Sequence, residues 1–458
     1  MKYSRYFLFS LSFSLIVALL LTACGAATPA AQATQAPTSA PTNPPVAAAS
    51  PTSPLVAEKV SIVYWTHENE PRNKLDEQLI AEFKAQNPNV EVKYEVFPFE
   101  DYDTKLLTAL AGNTGPDLFN IFTSRMVTLA ASKAVAPVDA AAMGLASLDE
   151  FKALYVPGAL DAYTFGGTLY AIPTEINNQA LYINVEHLQE AGLDPEKDYP
   201  KTWEELVDVA QKLTQTDSGG AVTRRGFDFT YGGDIDLPVL AFEGMAYQLG
   251  GSFLNDDATQ ATLNAEANAK ALQFWYDWIH TYQLGDPTVE EPIELFGEGA
   301  LSMVTVGTWF GPWLEENYPE TAKQYVVVPF PRFADAVNDT GAFLYAYGHM
   351  VNAQSPPAEQ AAAWKLSASL NSKPADYFKQ AGLIQPRLEL EESGALDEVP
   401  YAHVFWNDMK GTPADRMTGE MWEAVMRAIQ RVTQGDETPQ ASLDQAQQEL
   451  TDILSRDK

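Results

Sequence analysis

The chain has a single cysteine, Cys24, which excludes an internal disulfide and a cysteine-rich metal site. Basic residues are scarce: 29 Lys and Arg stand against 61 Asp and Glu, a formal net charge of −32. Such a balance cannot supply the basic footprint that neutralises a phosphate backbone, so no nucleic acid is expected as a partner. The same shortage weighs against anionic lipid or a strongly anionic ligand, although one local arginine could overrule it. The acidity itself reads as solubility. Histidine is rarer still, and the five (His67, His187, His280, His349 and His403) are too scattered for a metal cluster. HExxH, CxxC, GxSxG and Walker A patterns are all missing. Neither a cofactor nor a metal is expected.

The lone cysteine stands at a boundary. Lys2 and Arg5 precede a stretch from Phe7 to Leu21 that is apolar apart from three serines, the pattern of a secretory signal. It ends in Leu21-Thr22-Ala23-Cys24, which resembles the bacterial lipobox, where a lipid is attached to the cysteine sulfur and the chain is cut before it. The alternative is a spectator thiol inside a signal peptide. After Cys24 come Ala, Pro, Thr, Gln and Ser, with no charge until Glu58. Such a composition has too little apolar bulk to offset its ordering entropy, and it predicts an extended tether. Residues 1–23 therefore read as a lipoprotein signal peptide and 24–57 as a lipid-anchored, disordered linker, with the membrane as partner through Cys24.

The remainder, with 9 Trp, 20 Tyr and 22 Phe in the whole chain, is long and aromatic enough for a globular body of two or three domains. Val60 to Trp65 reads as a strand. Pro71 then suits a first helical turn, with Leu75, Leu79 and Phe83 at spacing four. Val90, Val92, Tyr94 and Val96 alternate with polar residues, a half-buried strand. A helix through Leu106 and Leu110 closes at Gly112, and a third strand runs from Asp117 to Phe122. This βαβ series predicts an α/β fold with a parallel sheet, whose ligands bind at the carboxyl ends of the strands. Thr202-Trp203-Glu204-Glu205 is a capping box opening a helix. Further helices are expected from Asn264, over Pro356–Leu370 and over Gly419–Val432, with a buried strand from Ala300 to Val306.

Seven landmarks in order carry a more specific resemblance: "VSIVYWTHENEP", "LLTALAGNTGPDLF", "GTLYAIPTEINNQALYIN", "GLDPEKDYPKTWEELVDVAQKLT", "LFGEGALSMVTVGTW", "VVVPFP" and "MVNAQSPPAEQAAAWKL". Residues 58 to 455 resemble the family 1 extracellular solute-binding proteins of bacterial ABC importers, which include maltodextrin-binding proteins. The resemblance implies a two-lobed periplasmic-binding-protein fold of type II-like form, its discontinuous lobes joined by hinge strands. One lobe would hold 58–173 plus 343–390 and the other 178–340 plus 395–458, with crossings near 173–178, 341–343 and 390–395. It implies a monomer that captures a sugar and hands it to ABC permease subunits without chemistry on the ligand.

Sugars present apolar C–H faces and a rim of hydroxyls, which suit aromatic rings and charged or amide side chains. By the family pattern Trp309 and Trp406 would stack on a ring; the alternative for each is core packing. The polar candidates are His67 and Glu68 after the first strand, Asn120, Ser124 and Arg125 after the third, and Asn177 or Asn178 at the crossing. His67-Glu68 reads equally as a solvated turn, and Arg125 could pair with an acid. Asn177 stands where maltodextrin-type members carry a ligand-contacting acid. Asp117 reads as a loop-orienting residue. A lipid-anchored glycoside hydrolase is the rival reading, since it too would need aromatics and paired carboxylates; with 61 acidic residues such a pair must exist somewhere and carries no weight. A receptor for a non-sugar solute is the other alternative. Asp339-Thr340-Gly341 spells an aspartic-protease tripeptide by chance, and Asp234-Ile235-Asp236 lacks the other ligands of a calcium loop.

Overall fold

The computed structural model describes residues 59–456 except 232–235, 256–257, 289–291, 410–411 and 413–414. Cys24, the signal-like stretch, the linker, Asp234 and Ile235 lie outside the described residues.

Local chemistry sets the first elements. The Oδ1 of Asn69 accepts from the Arg72 amide at 3.1 Å and starts the helix Glu70–Gln86, with Pro71 in its first turn. Asn87 ends it, its own amide bonded to the Phe83 carbonyl at 2.8 Å. The strands Val60–His67 and Val90–Phe97 flank this helix and pair in parallel. The helix Phe99–Ala111 closes at Gly112 and leads to the strand Leu118–Phe122, also parallel to Val60–His67.

This sheet is not purely parallel. Its order is Val90–Phe97, Val60–His67, Leu118–Phe122, Tyr345–Val351, Ile172–Asn177, and Tyr345–Val351 runs antiparallel to both of its neighbours. The βαβ pattern foretold three parallel strands but not an inserted fourth from a distant part of the chain. A second five-stranded sheet follows the order Tyr325–Val328, Ala180–Asn184, Leu301–Val306, Val222–Phe227, Gln215–Thr216. The chain thus passes from the first sheet to the second between Asn177 and Ala180, and returns between Val328 and Tyr345.

Each sheet carries its own core. Tyr64, Leu79, Phe83, Phe119 and Trp364 belong to the first. Trp203, Phe227, Trp275, Trp278 and Trp422 belong to the second, where the Trp275 and Phe229 rings stack at 4.0 Å. Thr202 and Glu205 form the expected capping box of the helix Trp203–Leu213. The helix expected from Asn264 begins at Glu266, capped by Ala265, because Asn264 instead bonds Asp444 at 2.9 Å. After the helix Pro374–Ala381, the segment near Ile384 joins the first sheet's edge, its carbonyl accepting from the Ile176 amide at 2.8 Å. The helices Gly419–Thr433 and Pro439–Arg456 then pack against Glu266–His280 beside the second sheet. Among the described residues no helix is long and apolar enough to cross a membrane.

Candidate functional site

The carboxyl edge of the first sheet is lined with buried polar groups. Thr66 is fully buried and His67 nearly so. The His67 ring lies against Phe99 at 5.1 Å and Tyr347 at 5.1 Å, with Nε2 3.2 Å from the Arg72 guanidinium. Arg72 also donates to the His67 carbonyl. Burial, and then the Arg72 cation, hold the His67 pKa well below the ordinary imidazole range, so the ring is neutral. Glu68 next door is exposed, with its backbone amide on the Phe97 carbonyl at 2.8 Å.

Asn120 is 1 % exposed and accepts at Oδ1 from the Thr174 hydroxyl at 2.8 Å. Its carbonyl takes the Tyr102 hydroxyl at 2.6 Å. Thr66 Oγ1, His67 Nδ1, Arg72 Nε and Asn120 Nδ2 are all buried without a hydrogen-bond partner. Each such group costs about 1–3 kcal/mol when left unmade, and their convergence on one sheet edge marks a place prepared for polar atoms from elsewhere. Ser124 is buried in the turn that follows. Arg125 pairs with Asp103 at 3.2 Å, and its guanidinium lies so close to Gly419 that a Cβ there would fall 1.9 Å from Nη1. Asp117 stands at the opposite, amino end of its strand, accepting from the Val63 amide at 2.8 Å and the Ser355 hydroxyl at 2.5 Å.

The passages between the sheets converge on one loop. Asn177, fully buried, donates from Nδ2 to the Thr308 hydroxyl at 2.7 Å. Its Oδ1 accepts from the amides of Asn178 at 3.0 Å and Thr308 at 3.3 Å. Thr308 in turn donates to the Gly382 carbonyl. Asn178 is also buried, bonding the Phe405 carbonyl at 3.3 Å. The residue after Thr308, Trp309, stands at the start of the helix Phe310–Asn317 and is half-buried where three apolar clusters meet. Further along that helix Glu316 pairs with Lys74 of Glu70–Gln86 at 2.8 Å, linking the two helices. Trp406 lies elsewhere, 8 % exposed in a small cluster with Phe378, Ile384 and Leu390.

The structure therefore gathers His67 and Asn120 at one sheet edge and places Asn177 beside the Trp309 loop, with Arg125 against the Gly419 helix. Three residues at these places escaped sequence reading. Arg72 sits in the first turn of a helix and looks like surface. Tyr347 lies on the inserted strand. Glu175 falls inside the quoted "IPTEINN", but its face depends on strand register. Burial pushes the Glu175 carboxyl up to about 7, opposed by Arg72.

A family profile described as bacterial extracellular solute-binding protein matches residues 68–377. The chain belongs to that family. Among its relatives, this solute-binding protein is 25 % identical over 291 residues to an arabinooligosaccharide-binding protein of Halalkalibacterium halodurans, covering 60 % of this chain and 59 % of the relative. It is 31 % identical over 161 residues to the sn-glycerol-3-phosphate-binding periplasmic protein of Escherichia coli K12, covering 33 % of this chain and 35 % of that protein. The chain thus spans 59 % of the length of the first of these relatives and 35 % of the second. In fold it matches a Thermotoga lettingae solute-binding protein bound with alpha-D-tagatose, with a TM-score of 0.76, 22 % identity, and coverage of 86 % of this chain and 100 % of that one. A maltotriose-bound maltodextrin-binding domain from Bdellovibrio bacteriovorus aligns at a TM-score of 0.74 and 21 % identity, over 86 % of this chain and all of that one. The fold is that of the two-lobed α/β binding proteins.

Proposed function

We propose that this solute-binding protein captures a neutral mono- or oligosaccharide between its lobes by hinge closure and delivers it, as a monomer, to the permease of an ABC importer. The observation that carries the reading is the row of unpartnered buried polar atoms at the first sheet's carboxyl edge, in a chain that also offers the half-buried Trp309 just beyond the strand Leu301–Val306. Hydroxyls would satisfy the first and a sugar C–H face would cover the second. The family and the arabinooligosaccharide-binding relative support it. No chemistry on the ligand is proposed. The lobes are taken as 58–173 plus 343–390 and 178–340 plus 395–458, a division supported by the sheet to which each strand belongs. Ligand contacts made only when the lobes meet would shift the population toward closure.

A thermal-shift screen against arabino- and malto-oligosaccharides, monosaccharides and sn-glycerol 3-phosphate tests this reading. A ligand at a thousand times its Kd stabilises the native state by about 4 kcal/mol, a clearly readable shift. A saturable shift with one saccharide and no cleavage products is expected. A flat response to all sugars, or released product, would overturn it.

Location is proposed as extracytoplasmic, with the body held at the membrane by lipid on Cys24, which raises its concentration near the permease. The expected result for Cys24→Ser is transfer of the protein from the membrane fraction to the soluble one. Retention in the membrane would point to an uncleaved apolar segment instead.

A further inference from the structure

We infer that Glu175, rather than Asn177, supplies the carboxylate that grips the solute, accepting hydrogen bonds from two adjacent hydroxyls of a neutral saccharide. This rests on the saccharide reading above and narrows it to a ligand that presents a vicinal diol and no phosphate to the first lobe.

Asn177 is already occupied. Both lone pairs of its Oδ1 and one of its two N–H groups are used by Thr308 and Asn178, and the residue is fully buried. It fastens one passage between the lobes to the Trp309 loop and has little left to offer a ligand.

Glu175 lies two residues earlier on the same strand, hence on the same face. Its position is set by an irregularity in pairing: Tyr347 stands opposite Glu175, but Gly348 stands opposite Pro173, so Thr174 is an extra residue. Such bulges re-aim side chains and occur beside functional sites. Thr174, released from the ladder, bonds the Oδ1 of Asn120 and leaves the amide Nδ2 of Asn120 without a partner. The Tyr163 hydroxyl fixes the bulge by donating to the carbonyls of Glu175 at 2.9 Å and Tyr347 at 3.1 Å. Glu175 itself is only 5 % exposed, and its carboxyl is acted on by burial and the Arg72 charge with no hydrogen bond among those influences. An acidic side chain this buried is almost always paired or hydrogen-bonded.

The surroundings select the ligand. Arg72, buried and bonded to His67, already lowers the energy of a negative charge at Glu175, so the site needs hydrogen-bond donors rather than a cation. A phosphate would be repelled by the carboxylate. A diol fits both halves, because each hydroxyl can donate to Glu175 while accepting from a donor such as Asn120 Nδ2.

Titration of Glu175 supplies a readout that a merely structural role would not give. The charged group acting on it is Arg72, which carries its charge throughout the working range; the phenol Tyr347 stands opposite it, Tyr163 bonds its carbonyl, and the neutral His67 lies against Arg72 and Tyr347. With the carboxyl pushed up to about 7, it is ionised at pH 8 and largely protonated at pH 5. The ionised form accepts from both hydroxyls by charge-assisted bonds, whereas protonation turns one oxygen into a donor and weakens the other, so affinity should fall by up to about tenfold per pH unit below 7.

The test is calorimetric binding of arabinotriose, maltotriose and sn-glycerol 3-phosphate to wild type, Glu175→Gln and Glu175→Ala, at pH 8 and pH 5. Wild type should bind at least one of the two sugars. Glu175→Gln should weaken that sugar about 30-fold at pH 8 and lose most of the pH dependence, while melting no lower than wild type. Sugar binding by Glu175→Gln within threefold of wild type would overturn the assignment and leave the saccharide reading standing. Binding of glycerol 3-phosphate with neither sugar bound, or no binding of any of the three, would overturn both. If Glu175→Ala fails to fold, the near-isosteric Glu175→Gln still decides the matter.

Discussion

Gly382→Ala should lower the melting temperature by roughly 5 °C or more and weaken saccharide binding in the same variant. Gly382 has φ +67, and a Cβ built on it would fall 2.4 Å from the Thr308 carbonyl oxygen and 3.0 Å from Trp309 Cα. Those are backbone atoms that cannot rotate aside. Alanine in the left-handed region alone costs about 1 kcal/mol; displacing a packed loop should bring the total to about 3 kcal/mol or more. At roughly 2–4 °C per kcal/mol for a domain of ordinary size, the shift is easily measured. Gly394 separates the two contributions. It has φ +75, but nothing lies within 4 Å of its built Cβ, so Gly394→Ala should cost only the conformational share and leave binding intact. Equal effects from the two substitutions would mean that the contact between Gly382 and the Trp309 loop has no role.

The second large effect is expected for Trp309→Ala, about 2 kcal/mol of binding or some 30-fold in affinity, in the range of a buried aromatic anchor. The stability loss should be smaller than for a core tryptophan such as Trp203, because Trp309 is half-buried while Trp203 is 0 % exposed. Full removal of a buried Trp costs about 3–5 kcal/mol. Titration calorimetry with arabinotriose and maltotriose, paired with thermal melts, distinguishes the outcomes. A large drop in melting temperature with unchanged affinity would assign Trp309 to the packing where the three clusters meet.

Much of the architecture could be read from local pattern. The period-two alternation of Val90 to Val96, the spacing of Leu75, Leu79 and Phe83, and the Thr202–Glu205 box each encode their element within a few residues. Long-range pairing could not be read in this way. Nothing local to Tyr345–Val351 says that it enters the first sheet between two strands from far earlier in the chain. The site divides along the same line. His67 and Asn120 could be proposed from local pattern, because strand ends are local features. The saturation of Asn177 by Thr308 depends on a contact across 131 residues, and the bulge that turns Thr174 and Glu175 on pairing with a strand more than 160 residues later. A one-residue shift of pairing exchanges faces, so no inspection of "IPTEINN" alone could choose between Glu175 and its neighbours.

The insertion of Tyr345–Val351 also governs the order of events when the chain folds. Leu118–Phe122 and Ile172–Asn177 are its neighbours on either side, and each has only that strand to pair with across the gap. Until Val351 has been synthesised, both present unsatisfied edges, one of them the wholly buried stretch Leu-Phe-Asn-Ile-Phe. The N-terminal lobe therefore cannot complete itself as it emerges; loop closure over more than 160 residues must come first, which is slow and leaves apolar strands open to aggregation meanwhile. A nascent chain of this design remains uncommitted until most of it exists, and one cut short before Tyr345 would leave the first sheet open at its centre.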